Sequence, residues 1–96
     1  VSYEIELTSR VEKFLDKLGR GQPADVEALE NAIEDLADEP RPSGCRKLSG
    51  HNGVMRVRVG GYRICYTIDD GKLVVLVIVI STRDNVYEAV KRHLGG

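Results

Sequence analysis

The sequence predicts an α+β fold in which a short N-terminal strand and a helical hairpin precede a three-stranded antiparallel meander and a C-terminal helix. Three observations carry that prediction. Apolar residues recur at helical spacing between Ser9 and Glu39, the period falls to two from Val54 onward, and Gly or Pro stands at most changes of pattern. A length of 96 residues leaves room for one domain, residues 1–96. A chain of that size buries roughly two thirds of its unfolded surface, enough for a modest core.

Tyr3, Ile5 and Leu7 alternate with polar residues as a strand requires, and Thr8 or Ser9 can cap the helix that follows. That helix runs to about Leu18, with Val11, Phe14, Leu15 and Leu18 on one face, and Gly19 and Gly21 stop it. A second helix begins near Pro23. Its buried stripe is Val26, Leu29, Ile33, Leu36 and Ala37, and Pro40 and Pro42 prevent it from continuing. The segment from Arg41 to Gly53 is read as a basic loop.

In the meander, Met55, Val57 and Val59 alternate with Arg56 and Arg58, and Gly60-Gly61 suits a two-residue hairpin turn. Tyr62, Ile64, Tyr66 and Ile68 continue on the return strand. Pairing Val59 with Tyr62 sets Val57 opposite Ile64, Arg58 opposite Arg63 and Arg56 opposite Cys65, so that Arg56, Arg58 and Arg63 share one face. Tyr62 and Tyr66 fall on the other face, as core residues. Asp70-Gly71 marks a second hairpin turn, and the unbroken apolar run from Leu73 to Ile80 predicts a central strand buried on both faces. With a two-residue turn there, Val74, Leu76, Ile78 and Ile80 point to the arginine face. Ser81, Thr82 or Asp84 ends the strand, and Val86 to Leu94 reads as the terminal helix.

Hydrophobic residues at 42% and charged residues at 30% exclude a disordered chain. The opening residues carry no basic leader and the longest apolar run is too short to span a bilayer, so a cytoplasmic protein without a membrane partner is expected. Cys45 and Cys65 form no CxxC pair, and His51 and His93 are far apart, so neither a metal site nor a cofactor is expected and both cysteines are read as packing residues.

The formal net charge is −1, but its distribution is uneven. Acids cluster at Asp25, Glu27, Glu30, Glu34, Asp35, Asp38 and Glu39, whereas Pro40 to Ile68 contains none and carries Arg41, Arg46, Lys47, Arg56, Arg58 and Arg63. Such a partition is expected of a protein with one phosphate-binding face. A single exposed arginine needs only water. Like charges directly across a strand pair, with a third on the same face, are unfavourable until an anion relieves them.

The run Arg46-Lys47-Leu48-Ser49-Gly50, then Met55-Arg56-Val57-Arg58-Val59, then Gly61-Tyr62-Arg63-Ile64-Cys65-Tyr66 resembles the KLxG, RVRVGxYRxxY signature of RelE/ParE toxins. The strand from Val74 to Ile80, followed by Arg83, Asp84, Val86 and Tyr87, is similar to the family's closing strand and tail. The resemblance covers nearly the whole chain. For the RelE kind it implies a ribosome-dependent, metal-free endoribonuclease in which a ribose 2′-oxygen attacks the adjacent phosphate. It implies that Arg63 clamps the phosphate, that Arg83 stands at the leaving oxygen, and that Tyr87 stacks on or hydrogen-bonds the nucleotide. Arg56 and Arg58 complete the catalytic set at positions held by lysine in the best-known members, and Arg46, Lys47 and His51 are expected to contact RNA.

Two departures bear on the chemistry. Guanidinium stays protonated far above neutral pH, so Arg56 is a poor general base where a crowded lysine could serve, which leaves His51 or a ribosomal group for that task. Thr82 stands where the family carries a histidine. The partners implied are a RelB-like antitoxin in a hetero-oligomer, the ribosome and messenger RNA, with an antitoxin helix and the terminal helix covering the apolar strip on the arginine face. Two other readings use the same fold: a ParE-like inhibitor of DNA gyrase with no RNA chemistry, and an inactive relic that only binds its antitoxin.

Overall fold

Thr8 sets the first junction of the fold. Its backbone is extended, its Oγ1 accepts from the Val11 N–H at 3.3 Å to cap a helix, and the same hydroxyl donates to the Ile78 carbonyl at 3.0 Å. The helix start is thereby tied to the centre of the sheet. In this computed structural model, residues 2–82 are described, and they form β1 (Glu4–Leu7), α1 (Ser9–Gly19), α2 (Pro23–Asp38), β2 (Arg46–Lys47), β3 (Val54–Val59), β4 (Tyr62–Asp69) and β5 (Val74–Thr82). The terminal helix expected over Val86 to Leu94, with Arg83 and Tyr87, lies outside the described residues. No helix among the described residues is long and apolar enough to cross a membrane.

The strands form one sheet in the order β1-β5-β4-β3-β2, with β1 parallel to β5 and the other neighbours antiparallel. Both helices cover one face. Val11, Leu15, Leu29, Ile33 and Leu36 pack there on Ile64, Tyr66, Val75, Val77 and Ile80, and each such side chain contributes roughly 1.5–3 kcal/mol relative to exposure. Tyr66 is fully buried, and its Oη donates to the Pro40 carbonyl at 2.8 Å, which fixes the chain where α2 ends. Burial raises its phenol pKa above the ordinary tyrosine range.

The β3–β4 register agrees with the sequence at each expected pair, Val59 with Tyr62, Arg58 with Arg63, Val57 with Ile64 and Arg56 with Cys65. The Gly60-Gly61 turn has its positive φ at Gly60, +58°, the conformation that a type II′ turn needs at its first position.

The structure corrects three expectations. Arg46–Lys47, read as part of a loop, pairs with β3 as an edge strand, Arg46 opposite Arg56 and Lys47 opposite Met55. The β4–β5 connection has four residues, Asp70 to Leu73, because Asp69 pairs with Val74; Leu73 takes φ +56°, and the Asp69 carboxylate accepts from the Lys72 N–H at 3.0 Å. The third correction concerns the face assignment of β5. Cys65 lies opposite Val79 and Tyr66 opposite Val77, so Ile78 is the extra residue of a β-bulge. Past the bulge the alternation is reversed. Leu76 and Ile78 lie on the arginine face as expected, Val79 joins them, and Ile80 turns back to the helices.

Candidate phosphate-binding face

Alternation along β3 and β4 sends Val57, Val59, Tyr62 and Ile64 toward the helices, and so sends Arg56, Arg58 and Arg63 to the opposite side of the sheet. The edge strand adds Arg46, directly opposite Arg56. The result is two cross-strand arginine pairs, Arg46 with Arg56 and Arg58 with Arg63. They are offset by two residues along β3, about 6–7 Å, a spacing comparable with that of consecutive phosphates in a single nucleic-acid strand.

Neither pair has a carboxylate partner among the described residues, where the ion pairs are Arg20 with Asp16 and Arg41 with Asp70. The Arg63 guanidinium has a 3.5 Å contact from Nη1 to the Gly61 carbonyl. Arg46 and Arg58 are exposed, Arg56 and Arg63 half-buried. Partial burial strengthens the pull of such groups on an anion, since water screens them less.

Behind the guanidiniums, Leu48, Val54, Cys65, Ile78 and Val79 make a second buried apolar cluster. Burial pushes the Cys65 thiol up to about 12, and the nearby Arg56 charge offsets that only in part. Cys65 is therefore a protonated packing group at neutral pH, neither a nucleophile nor a base. The bulge also sets Ser81 opposite Arg63, so a hydroxyl borders the arginine pair. Sequence reasoning missed this, treating Ser81 as a strand terminator, and an unbroken apolar strand contains no signal for the bulge that turns Ser81 to this side.

Other expected site residues are placed differently. Lys47 follows Arg46 and alternates to the Met55 side, and it lines a shallow depression of about 310 Å³ with Leu48, Gly50, His51, Asn52 and Gly53. Lys47 at the end of β2 and His51 in the loop that follows thus border one depression next to the four arginines without joining their ladder. Arg41, counted with the basic stretch, belongs to another corner. Its Nη1 and Nη2 donate to Asp70 Oδ1 and Oδ2 at 3.3 and 2.9 Å, and the Tyr3 hydroxyl donates to Asp70 Oδ1 at 2.6 Å. Arg41, and secondarily Tyr3, holds the Asp70 carboxyl below its usual range.

The family model that matches this chain is the ParE toxin of type II toxin–antitoxin system, parDE, over residues 5–87. A Methanocaldococcus jannaschii protein named as a RelE1 toxin is 28% identical over 91 residues, which covers 92% of this chain and 98% of that protein. An arginine-substituted variant of the Escherichia coli toxin RelE in the free state matches with a TM-score of 0.75 and 30% identity, over 96% of this chain and 98% of its own. A chain of the RelBE2 toxin–antitoxin complex of Mycobacterium tuberculosis matches with a TM-score of 0.70 and 30% identity, over 86% of this chain and 100% of its own. With a family model matched over residues 5–87 and relatives matched over nearly their whole length, the chain belongs to the RelE/ParE superfamily, as a toxin of a type II toxin–antitoxin system.

Proposed function

We propose that this toxin is of the RelE kind, an endoribonuclease that cuts messenger RNA on the ribosome by attack of a ribose 2′-oxygen on the adjacent phosphate. The observation that carries the reading is the ladder of two arginine pairs on one face, with no carboxylate partner among the described residues. Such a ladder suits two successive phosphates. In the reaction the 2′-oxygen–phosphorus bond forms as the phosphorus–5′-oxygen bond breaks. The 2′-hydroxyl gives up its proton, the departing 5′-oxygen gains one, and a 2′,3′-cyclic phosphate remains.

Each arginine then has a distinct task. Arg58 and Arg63 take the non-bridging oxygens of the scissile phosphate, where negative charge grows toward the transition state. Arg46 and Arg56 hold the neighbouring phosphate and keep the strand aligned for in-line attack. From the family resemblance, Arg83 stands at the leaving oxygen and Tyr87 against the nucleotide, and Lys47 at the end of β2 and His51 in the following loop contact RNA. No arginine here serves as base, because guanidinium does not lose its proton near neutral pH. The acceptor of the 2′-proton is His51 or a ribosomal group.

The partner we propose is a RelB-like antitoxin, in a hetero-oligomer that lays acidic residues over the arginines. The Mycobacterium tuberculosis and Pyrococcus horikoshii structures that resemble this chain are RelBE complexes. A ribosomal substrate puts the site of action in the cytoplasm. The name of the matching family model favours a second reading, a ParE-type toxin directed at gyrase, for which the arginine ladder would have no evident use. Induction of the toxin should arrest translation with no DNA-damage response. A DNA-damage response with translation intact would favour the gyrase reading, and undisturbed growth would leave an inactive antitoxin-binding module.

A further inference from the structure

The β3–β4 hairpin carries repulsion close to its tip. Val59 and Tyr62 flank the two-residue turn, so Arg58 and Arg63 form the next pair in. In an antiparallel ladder that pair is the non-hydrogen-bonded one, with Cα atoms about 4.5 Å apart and side chains close together. Like charges so placed destabilise a strand pair. The β5 strand pairs along this tip, Thr82 with Tyr62 and Ser81 with Arg63, but β3 at the tip relies on the repelling pair, so a contact from outside the sheet would hold it further.

Tyr62 makes that outside contact. It adjoins Arg63 in the chain, yet alternation sends its side chain to the opposite face, among the helices. There its Oη donates to Asp25 Oδ2 at 2.7 Å, with Gln22 Oε1 also within reach at 3.3 Å. Its ring meets Phe14 edge-on, with centroids 6.2 Å apart and planes at 79°. One side chain thus ties the hairpin tip to the start of α2 and to α1. Asp25 lies in the first turn of α2, where the helix dipole favours its charge. The same carboxylate raises the Tyr62 hydroxyl above its usual pKa and keeps it a donor. Packing holds the tip only in part: Val59 and Tyr62 lie against the core, but an open cavity of about 440 Å³ bordered by Asp25, Val59, Gly60, Gly61, Tyr62 and Thr82 lies alongside. The polar anchor therefore matters more here than it would in a filled core.

We propose that Tyr62 is a positioning residue for the arginine face: held by Asp25 and Gln22, it fixes the hairpin tip from behind and sets the Arg58–Arg63 pair at the spacing one phosphate needs. It does so without touching substrate. The catalytic consequence rests on the ribonuclease reading; the anchoring does not.

The test uses the full chain. Tyr62→Phe removes the hydroxyl and keeps the ring on Phe14. Single-turnover cleavage of ribosome-bound messenger at saturating toxin should fall about tenfold or more, with affinity for the ribosome and Tm close to wild type. Asp25→Ala should match it, Asp25→Asn should keep most of the rate because the amide oxygen still accepts, and the double variant Tyr62→Phe/Asp25→Ala should be no slower than either single one. In the same variants the Tyr62→Phe and Asp25→Ala proteins should exchange the backbone amide protons of position 62 and Ile64 faster than wild type, whether or not the protein cuts RNA. Unchanged exchange in Tyr62→Phe overturns the anchor. Faster exchange with an unchanged cleavage rate overturns the positioning role. Should the wild-type protein cut nothing, the ribonuclease reading falls on its own, and the exchange rates still decide the anchor.

Discussion

Arg41 and Arg63 come from the same acid-free stretch of sequence, yet the fold gives the first a fork of carboxylate oxygens at 3.3 and 2.9 Å and the second a backbone carbonyl at 3.5 Å. The acid for Arg41 comes from outside the stretch. Asp70, in the β4–β5 turn, closes on it and also takes the Tyr3 hydroxyl, so three separate segments meet at one neutralised corner. The ladder of Arg46, Arg56, Arg58 and Arg63 has no such partner among the described residues. Arg41 is satisfied from within the described fold, whereas the arginines facing their own kind across a strand pair have no carboxylate partner among the described residues, and under the proposed function RNA supplies the counter-charge.

The largest effect that could break this contrast lies in substitution at the two ends of it. Arg63→Ala should cost roughly 2–4 kcal/mol of transition-state stabilisation, a loss of two to three orders of magnitude in single-turnover cleavage. Arg41→Ala should leave cleavage close to wild type in the same assay. Equal losses from both would erase the distinction between the corner and the ladder.

A smaller effect sharpens the role of one ladder member. Arg56→Ala should slow cleavage about 10²-fold, while Arg56→Lys, which keeps the charge and loses the planar fork, should cost much less. A base works by losing a proton. If position 56 were the base, lysine would be faster than arginine and would bring a new ionisation into the pH–rate profile. That outcome, measured across neutral to alkaline pH, would transfer the proton-accepting role from the His51 loop or the ribosome to β3.

These two substitutions probe the part of the molecule that was most legible in the sequence. Gly60-Gly61 fixes the turn, strict alternation fixes the faces, and together they leave one register for Arg56, Arg58 and Arg63. The next strand offered no such reference. From Leu73 to Ile80 every residue is apolar, so no change of residue type marks where alternation slips at Ile78; Ile80 is expected on the wrong side, and Ser81 reads only as a candidate end of the strand. Arg46 on the ladder was equally hidden, because a strand of two residues has no period to detect. The role of Arg41 was out of reach for a different reason, its partner lying 29 positions away across a turn whose length the Asp70-Gly71 pair misstated. The roles of Arg83 and Tyr87 rest on family resemblance, and the terminal helix on the apolar spacing of Val86 to Leu94.

The smallest expected effect belongs to the neutralised corner. Asp70 is held below its usual pKa by Arg41 and then by Tyr3. A carboxyl depressed in the folded state stabilises the fold above its unfolded pKa, and that contribution fades as pH falls through the folded value. The urea midpoint of the wild type should therefore exceed that of Asp70→Asn by a small margin at pH 6, and the margin should close below about pH 4. The side chains are exposed, so the difference stays slight. A gap that persisted or widened in acid would show that Asp70 acts through something other than its charge.

The central claim, that the arginine ladder cuts messenger RNA during translation, is tested most directly by mapping transcript 5′ ends after induction of the wild-type protein and of Arg63→Ala. The expected result is new 5′ ends inside codons of translated regions with the wild type, and none above background with Arg63→Ala at equal expression. No new ends in the wild type, despite growth arrest, or the same ends in both proteins, would contradict it.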